Sequence, residues 1–165
     1  MSRLAALITW VCTALWFGAM MFLLAGVTRL FAEFPKQTSD VAVQAAPCLF
    51  ATFEKYQLVL ALIALVAAFG WYLATRARLV MILFILLALA AAGGAISTNF
   101  ISAKMHALRE AGRSGSPEFM RLHGRSMIVY TCQAALLLVA VIMLPFAPIA
   151  PPAPTRQTAS ATAPV

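Results

Sequence analysis

Residues 79–103 read LVMILFILLALAAAGGAISTNFISA, a run with no charged side chain and with no polar side chain before Ser97. An α-helix needs about 20 apolar residues to cross the ~30 Å hydrocarbon core of a bilayer. Because lipid offers no hydrogen-bond partners, a spanning backbone has to bond within its own segment, which favours a helix. The apolar residues do not alternate with polar ones, as they would in a membrane barrel. The run therefore predicts a transmembrane helix.

Three further windows, 4–28, 56–75 and 126–150, are equally free of Asp, Glu, Lys and Arg. A charge at the middle of a bilayer costs roughly 2.5–3.5 kcal/mol on insertion scales, so the placement of all charges between the windows supports four spans. The whole chain is 63% hydrophobic and 10% charged, with a net charge of +7. This composition excludes a solvated globule, a disordered chain and a disulfide-rich secreted domain, and it argues against a nucleic-acid-binding protein.

We predict an all-α integral membrane protein with four transmembrane helices in an antiparallel up-down bundle. The first window is too long for a signal-peptide core and lacks a convincing cleavage site, so it is interpreted as a membrane anchor. The four-helix domain occupies residues 1–150, and the Pro/Ala-rich tail 151–165 is expected to be disordered. The predicted spans are about 4–28, 49–75, 79–103 and 122–146.

Local signals place the helix boundaries. Pro47 is tolerated in the first turn of a helix, so the second span is expected to start near it. Residues 76–78, Arg-Ala-Arg, form a tight hairpin between the second and third spans. In the last long connection, Gly112-Arg113-Ser114-Gly115 breaks the chain. Ser116-Pro117-Glu118 then predicts an N-cap, a proline at the first helical position and an acid in the first turn.

The long connections carry more positive charge than the opposite ends of the spans. We call the end with the N-terminus, the 76–78 hairpin and the tail side A, and the end with the two long connections side B. Side A has four Lys and Arg residues, and side B has eight. Because Lys and Arg are enriched in cytoplasmic loops, side B is predicted to be cytoplasmic.

Polar residues at the side-B ends of three spans form the candidate site. Residues three or four apart share a helix face, and polar groups in lipid generally point into the bundle. A stripe on the last span is therefore expected to meet polar residues of the second and third spans. The predicted polar cluster consists of Glu54, Gln57, Asn99, His123, Ser126, Tyr130 and Gln133. It is interpreted either as interhelical hydrogen bonding, worth about 0.6 kcal/mol per pair, or as a buried proton, metal or small-ligand site.

Neither a metal site nor a cofactor is predicted. Met120, His123 and Met127 share a helix face and would suit Cu(I), but two His and three unpatterned Cys form no closed ligand set. Haem would require a histidine well inside the bilayer. The chain has no nucleophile–base pair and no paired carboxylates, so no enzymatic activity is predicted.

Small residues indicate close helix packing. Ala90 with Gly94, and Gly93 with Ser97, form small-xxx-small pairs on the third span. This face is interpreted as packing within the chain or, alternatively, as an oligomer interface. Gly18 and Gly26 on the first span are expected to serve the same purpose. Trp71 and Tyr72 are expected to lie in the aromatic belt of the membrane interface.

The start of the last span carries a family resemblance. Phe119-Met120-Arg121-Leu122-His123-Gly124-Arg125-Ser126 resembles the F-x-R-x-H-G-x-S signature that opens the last helix of the transmembrane protein 205-like family, whose bacterial members are called domain of unknown function 4149. The matching motif residues are Phe119, Arg121, His123, Gly124 and Ser126.

Two earlier stretches resemble the same family. Residues 16–22, WFGAMMF, are followed by Phe31 and Phe34-Pro35, and Pro47 is followed by Phe50 and Phe53. The family often has an acid-proline pair after the third helix, where this chain has 99–102, Asn-Phe-Ile-Ser. The resemblance extends over about residues 5–146. It implies a four-span membrane protein without a settled biochemical activity, here in a bacterial inner membrane.

Two functions follow from these expectations. The first is a non-enzymatic membrane protein that acts as a partner or assembly factor, with the lipid bilayer and either a second copy or another membrane protein as its partners. The second is a small transporter, or an oligomer that handles an ion or ligand at the polar cluster. None of the four windows contains an acid, which argues against an acid-lined transport path.

Overall fold

The chain folds almost entirely into helices. The computed structural model describes residues 2–33 and 39–149, so the predicted tail 151–165 lies outside the described residues. No strand occurs within those ranges. The elements are α1 (Ser2–Glu33), α2 (Ser39–Thr75), α3 (Arg78–Ile96), a π-helix (Ser97–Ser102), α4 (Ala103–Glu110), α5 (Pro117–Met143) and a 3₁₀ turn (Leu144–Phe146).

Four helical segments are long and apolar enough to cross a membrane. They are Ser2–Leu30, Ala45–Thr75, Arg78–Glu110 and Pro117–Phe146. All four are longer than their charge-free windows. The third continues through α4, where the sequence predicted a connection, and the second contains Glu54, nine residues after Ala45.

The second helix begins earlier than expected. α2 starts at Ser39, so Pro47 lies inside the helix rather than in its first turn. A proline inside a helix removes one backbone hydrogen bond, and the helix continues on both sides of this interruption. The expected position of Pro47 in the first helical turn was therefore wrong, whereas the candidate span, Ala45–Thr75, begins two residues before it.

The start of α5 agrees with the sequence signals. Ser116 has an extended backbone and its side chain accepts a hydrogen bond from the Phe119 N–H at 3.2 Å. Pro117 occupies the first helical position, and Glu118 lies in the first turn. The break before it begins at Gly112, whose φ of 69° is in the left-handed region that glycine tolerates. The predicted N-cap and chain break are both confirmed.

The long helices pack in a closed ring. α1 contacts α2 and α5, and α3 also contacts α2 and α5. The interior of the ring is filled by large side chains that are almost fully buried, among them Trp16, Leu83 and Leu137. Large apolar side chains also cover the outside, such as Phe22, 80% exposed, and Val66, 67% exposed.

Trp71 belongs to the interior and not to an aromatic belt. Its side chain is fully buried, and its indole N–H donates to the carbonyl oxygen of Pro148 at 3.0 Å. A buried indole needs such a partner, and the turn after α5 supplies it. The belt assignment of Trp71 was wrong. Tyr72, the next residue, is partly buried and lies under the Arg76 guanidinium at 5.7 Å.

The glycines of α1 make no close contact with another described helix. A Cβ atom placed on Gly18 or Gly26 would meet nothing within 4 Å. On α3, a Cβ atom on Gly93 would make an ordinary contact with Val129 at 3.7 Å, whereas one on Gly94 would press on two side chains. The expected role in packing therefore applies to Gly94 and is wrong for Gly18 and Gly26 within this chain.

Candidate functional site

The interior near side B is lined by polar side chains from two helices. Glu54 and Gln57 on α2 are one turn apart, and Tyr130 and Gln133 on α5 have the same spacing, so each pair lies on one helix face. All four face inward: Glu54 is 7% exposed, and the other three are 1–2% exposed. Ser126, one turn before Tyr130, is also buried at 8%. The site therefore consists of two polar layers, one turn apart.

The first layer is centred on the Glu54 carboxylate. The Tyr130 hydroxyl donates to Glu54 Oε1 at 3.0 Å. The Ser102 hydroxyl donates to the same oxygen. The contacts join α2, α5 and the π-helix through one acidic side chain. Hydrogen bonds to a charged group are stronger than those between neutral groups, so this layer holds three elements together.

The π-helix supplies the third side of this layer. Its hydrogen bonds run from residue i to residue i+5, and single π turns are frequently found at functional sites. Ser97 and Ser102, five residues apart, therefore lie one above the other. Ser97 is fully buried. Its hydroxyl lies beside the Tyr130 phenol, in a contact too loose to satisfy strict hydrogen-bond geometry.

The second layer is a pair of buried amides. Gln133 Nε2 donates to Gln57 Oε1 at 3.0 Å. Gly94 makes room for the pair, because a Cβ atom there would lie 3.0 Å from Gln133 Nε2 and 3.3 Å from Gln57 Oε1. The remaining atoms, Gln57 Nε2 and Gln133 Oε1, are buried and unpaired among the described residues. One donor and one acceptor thus stay available deep in the bundle.

Aromatic side chains cover the carboxylate layer. The ring of Phe50 lies 5.7 Å from that of Tyr130, and the ring of Phe53 lies 6.2 Å from it. Both pairs are tilted, an arrangement that aromatic rings favour. Both rings belong to α2, so they pack the Tyr130 side chain of α5 against that helix.

Two predicted members lie outside the cluster. Asn99 is exposed, and its side chain donates back to the carbonyl oxygen of Ala95 at 2.8 Å. His123 is also exposed, so the expectation that His123 and Ser126 both face the bundle holds for Ser126 alone. His123 lies six residues after Pro117, in the first part of α5, and the buried residues of that helix begin only at Ser126.

Sequence reasoning missed Ser102 as a member. Its position opposite Glu54 depends on the π-helix, whose extra residue per turn shifts the face that each side chain occupies. In a regular α-helix, five residues correspond to a rotation of about 500°, so Ser97 and Ser102 would point in different directions. The sequence 97–102 contains no residue that specifies this change of helix type.

The connection after α4 contains a separate group of charges. Lys104 Nζ lies 3.0 Å from Glu118 Oε1, and Arg113 Nη2 lies 3.5 Å from Glu118 Oε2. The Arg109 guanidinium lies 5.6 Å from the ring centre of Phe119. These contacts are exposed and are individually worth little. They place Phe119 of the quoted motif against α4, while Arg121 and Gly124 are exposed.

The chemistry available in the cluster is that of oxygen ligands and hydrogen bonds. It contains a single carboxylate, four hydroxyl groups and two amides. Within residues 2–33 and 39–149, no group of three His, Cys, Asp or Glu side chains is placed to hold a metal ion. Comparison of the chain with protein-family models, with curated proteins and with solved structures finds no match.

Proposed function

We propose that the protein is a non-enzymatic integral membrane protein that handles a small ligand at the Glu54 cluster. The buried Glu54 carboxylate carries this proposal. Acidic residues inside transmembrane segments are rare and usually mark paths or binding sites for ions and protons. The absence of acids from the charge-free windows argued against such a site, but Glu54 lies within the candidate span Ala45–Thr75.

Membrane insertion as an antiparallel bundle is part of the proposal. Three contacts support the direction of the helices: Glu54 with Tyr130, Gln57 with Gln133, and Trp71 with Pro148. In these contacts, higher residue numbers on α2 are paired with higher residue numbers on α5 and the turn that follows it, as expected for two helices that run in the same direction. On α3 and the π-helix the order is reversed: Gly94 lies beside Gln57, and Ser102 lies beside Glu54. This series supports parallel α2 and α5, with α3 antiparallel between them.

Ligand access from side B alone is supported by the composition of the interior. The polar side chains lie between the side-B ends of the helices and the Gln57–Gln133 pair. Beyond that pair the buried side chains of α3 and α5 are apolar, including Leu83, Leu87 and Leu137. Such an interior favours a one-sided binding site over an open channel. The excess of Lys and Arg on side B supports a cytoplasmic opening, in a bacterial inner membrane.

The family membership remains a proposal that rests on the motif at 119–126. Its arginine and glycine are exposed, and its phenylalanine packs against Arg109 of α4. The motif therefore contributes to the surface at side B more than to the buried cluster. Its serine, Ser126, is the motif residue that faces the interior.

Native mass spectrometry of gently extracted protein tests the ligand-handling proposal. We expect the wild-type chain to retain a small adduct that is lost in Glu54→Gln, since that substitution keeps the side-chain shape and removes the charge. Glu110→Gln is the matched control, because Glu110 is exposed and contacts only His106 among the described residues. An unmodified wild-type mass in a folded preparation, or an adduct retained by Glu54→Gln, would contradict the proposal.

Assembly with a second membrane helix is a second candidate, favoured by the outer face of α1. Ala14 and Gly18 are exposed and four residues apart, and a Cβ atom on Gly18 would meet nothing within the chain. Small residues at this spacing let transmembrane helices approach closely. If this face assembles, Gly18→Leu should reduce the oligomer in native mass spectra, while Gly70→Leu, a second open glycine, should not. A monomer in both the wild type and Gly18→Leu would remove this candidate.

A further inference from the structure

The two hydroxyl groups that contact Glu54 leave one of its oxygens available. Both Tyr130 and Ser102 donate to Oε1. Oε2 accepts no hydrogen bond from a described side chain, and it is not among the fully enclosed unpaired atoms. Oε2 is therefore free to accept a hydrogen bond or to coordinate a cation.

Glu54 forms no ion pair among the described residues. The ion pairs in that part of the chain are Lys104–Glu118, Arg113–Glu118 and His106–Glu110. The described side chains that contact the carboxylate are uncharged: Tyr130 from α5 and Ser102 from the π-helix, with Ser97 beside Tyr130. Lys55, its neighbour in sequence, is exposed.

A buried carboxylate without a counter-charge is unfavourable in a low-dielectric interior. One unit of positive charge neutralises it, whereas a divalent ion would leave an excess charge there. The oxygen atoms near Glu54 are hard ligands, which suit small cations rather than soft metals. Each hydroxyl has one proton and two lone pairs, so Tyr130 and Ser102 can donate to Oε1 and still offer a lone pair to a cation.

We infer that Glu54 Oε2, together with the hydroxyl oxygens of Ser97, Ser102 and Tyr130, forms a site for one small monovalent cation that exchanges with a proton. Ser97 adds a fully buried hydroxyl whose polar neighbour among the described residues is the Tyr130 phenol, which places its oxygen next to the Glu54 contacts. The inference rests on the proposed function and specifies its ligand. Cation binding requires the ionised carboxylate, so the proton and the cation exclude each other at this site.

Thermal unfolding of the purified protein in detergent tests the inference. Sodium, potassium or lithium chloride is compared with N-methyl-D-glucamine chloride, whose cation is too large for the site, at equal ionic strength. A ligand that binds only the folded state raises Tm. We expect at least one small cation to raise Tm at alkaline pH. The rise should become smaller as the pH is lowered, because the cation and the proton compete for the same carboxylate.

Variants separate this site from general salt effects. Glu54→Gln should abolish the cation-dependent rise in Tm, and Glu110→Gln should retain it. Ser97→Ala keeps the charge and should weaken the apparent cation affinity several-fold. If Glu54→Gln does not fold, proton release provides the same test on the wild type: addition of the effective cation to weakly buffered protein should release up to one proton per chain.

The outcomes distinguish this inference from the proposed function. A wild type whose Tm and proton release respond to none of the three cations overturns it, and so does a cation response that Glu54→Gln retains. A Tm that changes with pH alone also overturns it, since Glu54 then binds only a proton. An adduct that native mass spectrometry finds only with intact Glu54 would leave the proposed function standing in these cases.

Discussion

The two halves of the helix interior have different chemistry. Near side B, buried side chains include Glu54, Gln57, Tyr130 and Gln133, and several of their atoms lack partners among the described residues. Toward side A, α3 and α5 contribute mainly leucine, valine and alanine, and the buried polar side chains there are threonines of α1 and α2: Thr9, Thr13 and Thr75. Apolar side chains stabilise an interior by packing, and they need no particular partner. Buried polar side chains are favourable only when their hydrogen-bonding groups are paired. The apolar half therefore accounts for stability, and the polar half for specificity.

Truncation in the apolar half should have the largest effect on stability. Leu137 is fully buried, and Leu137→Ala should reduce the free energy of unfolding by roughly 2–5 kcal/mol through lost contacts and a cavity. Leu138→Ala is the matched control, because Leu138 is 44% exposed on the outer face. Chemical unfolding in detergent micelles measures both. Equal effects would mean that the interior assignment of these neighbours is incorrect.

Loss of the phenol in the polar half should have a smaller effect. Tyr130→Phe keeps the ring against Phe50 and Phe53 but removes one of the two hydrogen bonds to Glu54 Oε1. A hydrogen bond to a charged group contributes about 1.5–3 kcal/mol. Tyr56→Phe, at a side chain that is 66% exposed, should be nearly neutral. The same unfolding measurement checks the pair, and a neutral Tyr130→Phe would show that Glu54 does not depend on this contact.

The amide layer should respond to single and double substitutions differently. Gln57→Met leaves Gln133 Nε2 without its acceptor and should reduce stability by about 1 kcal/mol. Gln57→Met with Gln133→Met removes both partners at similar volume, so the double variant should recover most of that loss. A double-mutant cycle measures the coupling. Additive losses would contradict the observed hydrogen bond between the two amides.

The smallest effect is expected outside both halves. Ser116→Ala removes the N-cap of α5 and should reduce stability by about 0.5–1 kcal/mol, without altering the response to cations. Ser114→Ala, in the preceding turn, serves as its control. A change in cation response on loss of this cap would indicate that the start of α5 is coupled to the polar half.

Much of the fold could be predicted from charge placement alone. The 17 charged residues lie outside four long apolar runs, and this placement predicted four membrane-spanning helices. The structure has four helical segments that are long and apolar enough to cross a membrane. Ser116 and Gly112 gave correct local signals because capping and positive φ depend on neighbouring residues only. Pro47 misled, since tertiary packing lets a helix continue through a proline.

The candidate site was only partly predictable. Helical spacing placed Ser126, Tyr130 and Gln133 on one face correctly, because α5 is regular there. It failed for His123, as spacing does not tell where a helix leaves the packed interior, and for Ser102, whose orientation depends on the π-helix. Glu54 was named as a member and lay near the start of the predicted span 49–75, but its burial and its two hydrogen bonds depend on how α2, α5 and the π-helix pack together.

Cysteine labelling from each side of the membrane tests the contrast between the two halves most directly. Single cysteines at Ser126, Ser97 and Ala140 would be introduced after replacement of Cys12, Cys48 and Cys132, and a small membrane-impermeant thiol reagent applied to either face of oriented vesicles. We expect labelling from side B only, fast at Ser126→Cys, slower at Ser97→Cys and absent at Ala140→Cys. Labelling of Ala140→Cys, or labelling of Ser97→Cys from side A, would contradict a polar site that is closed at one end.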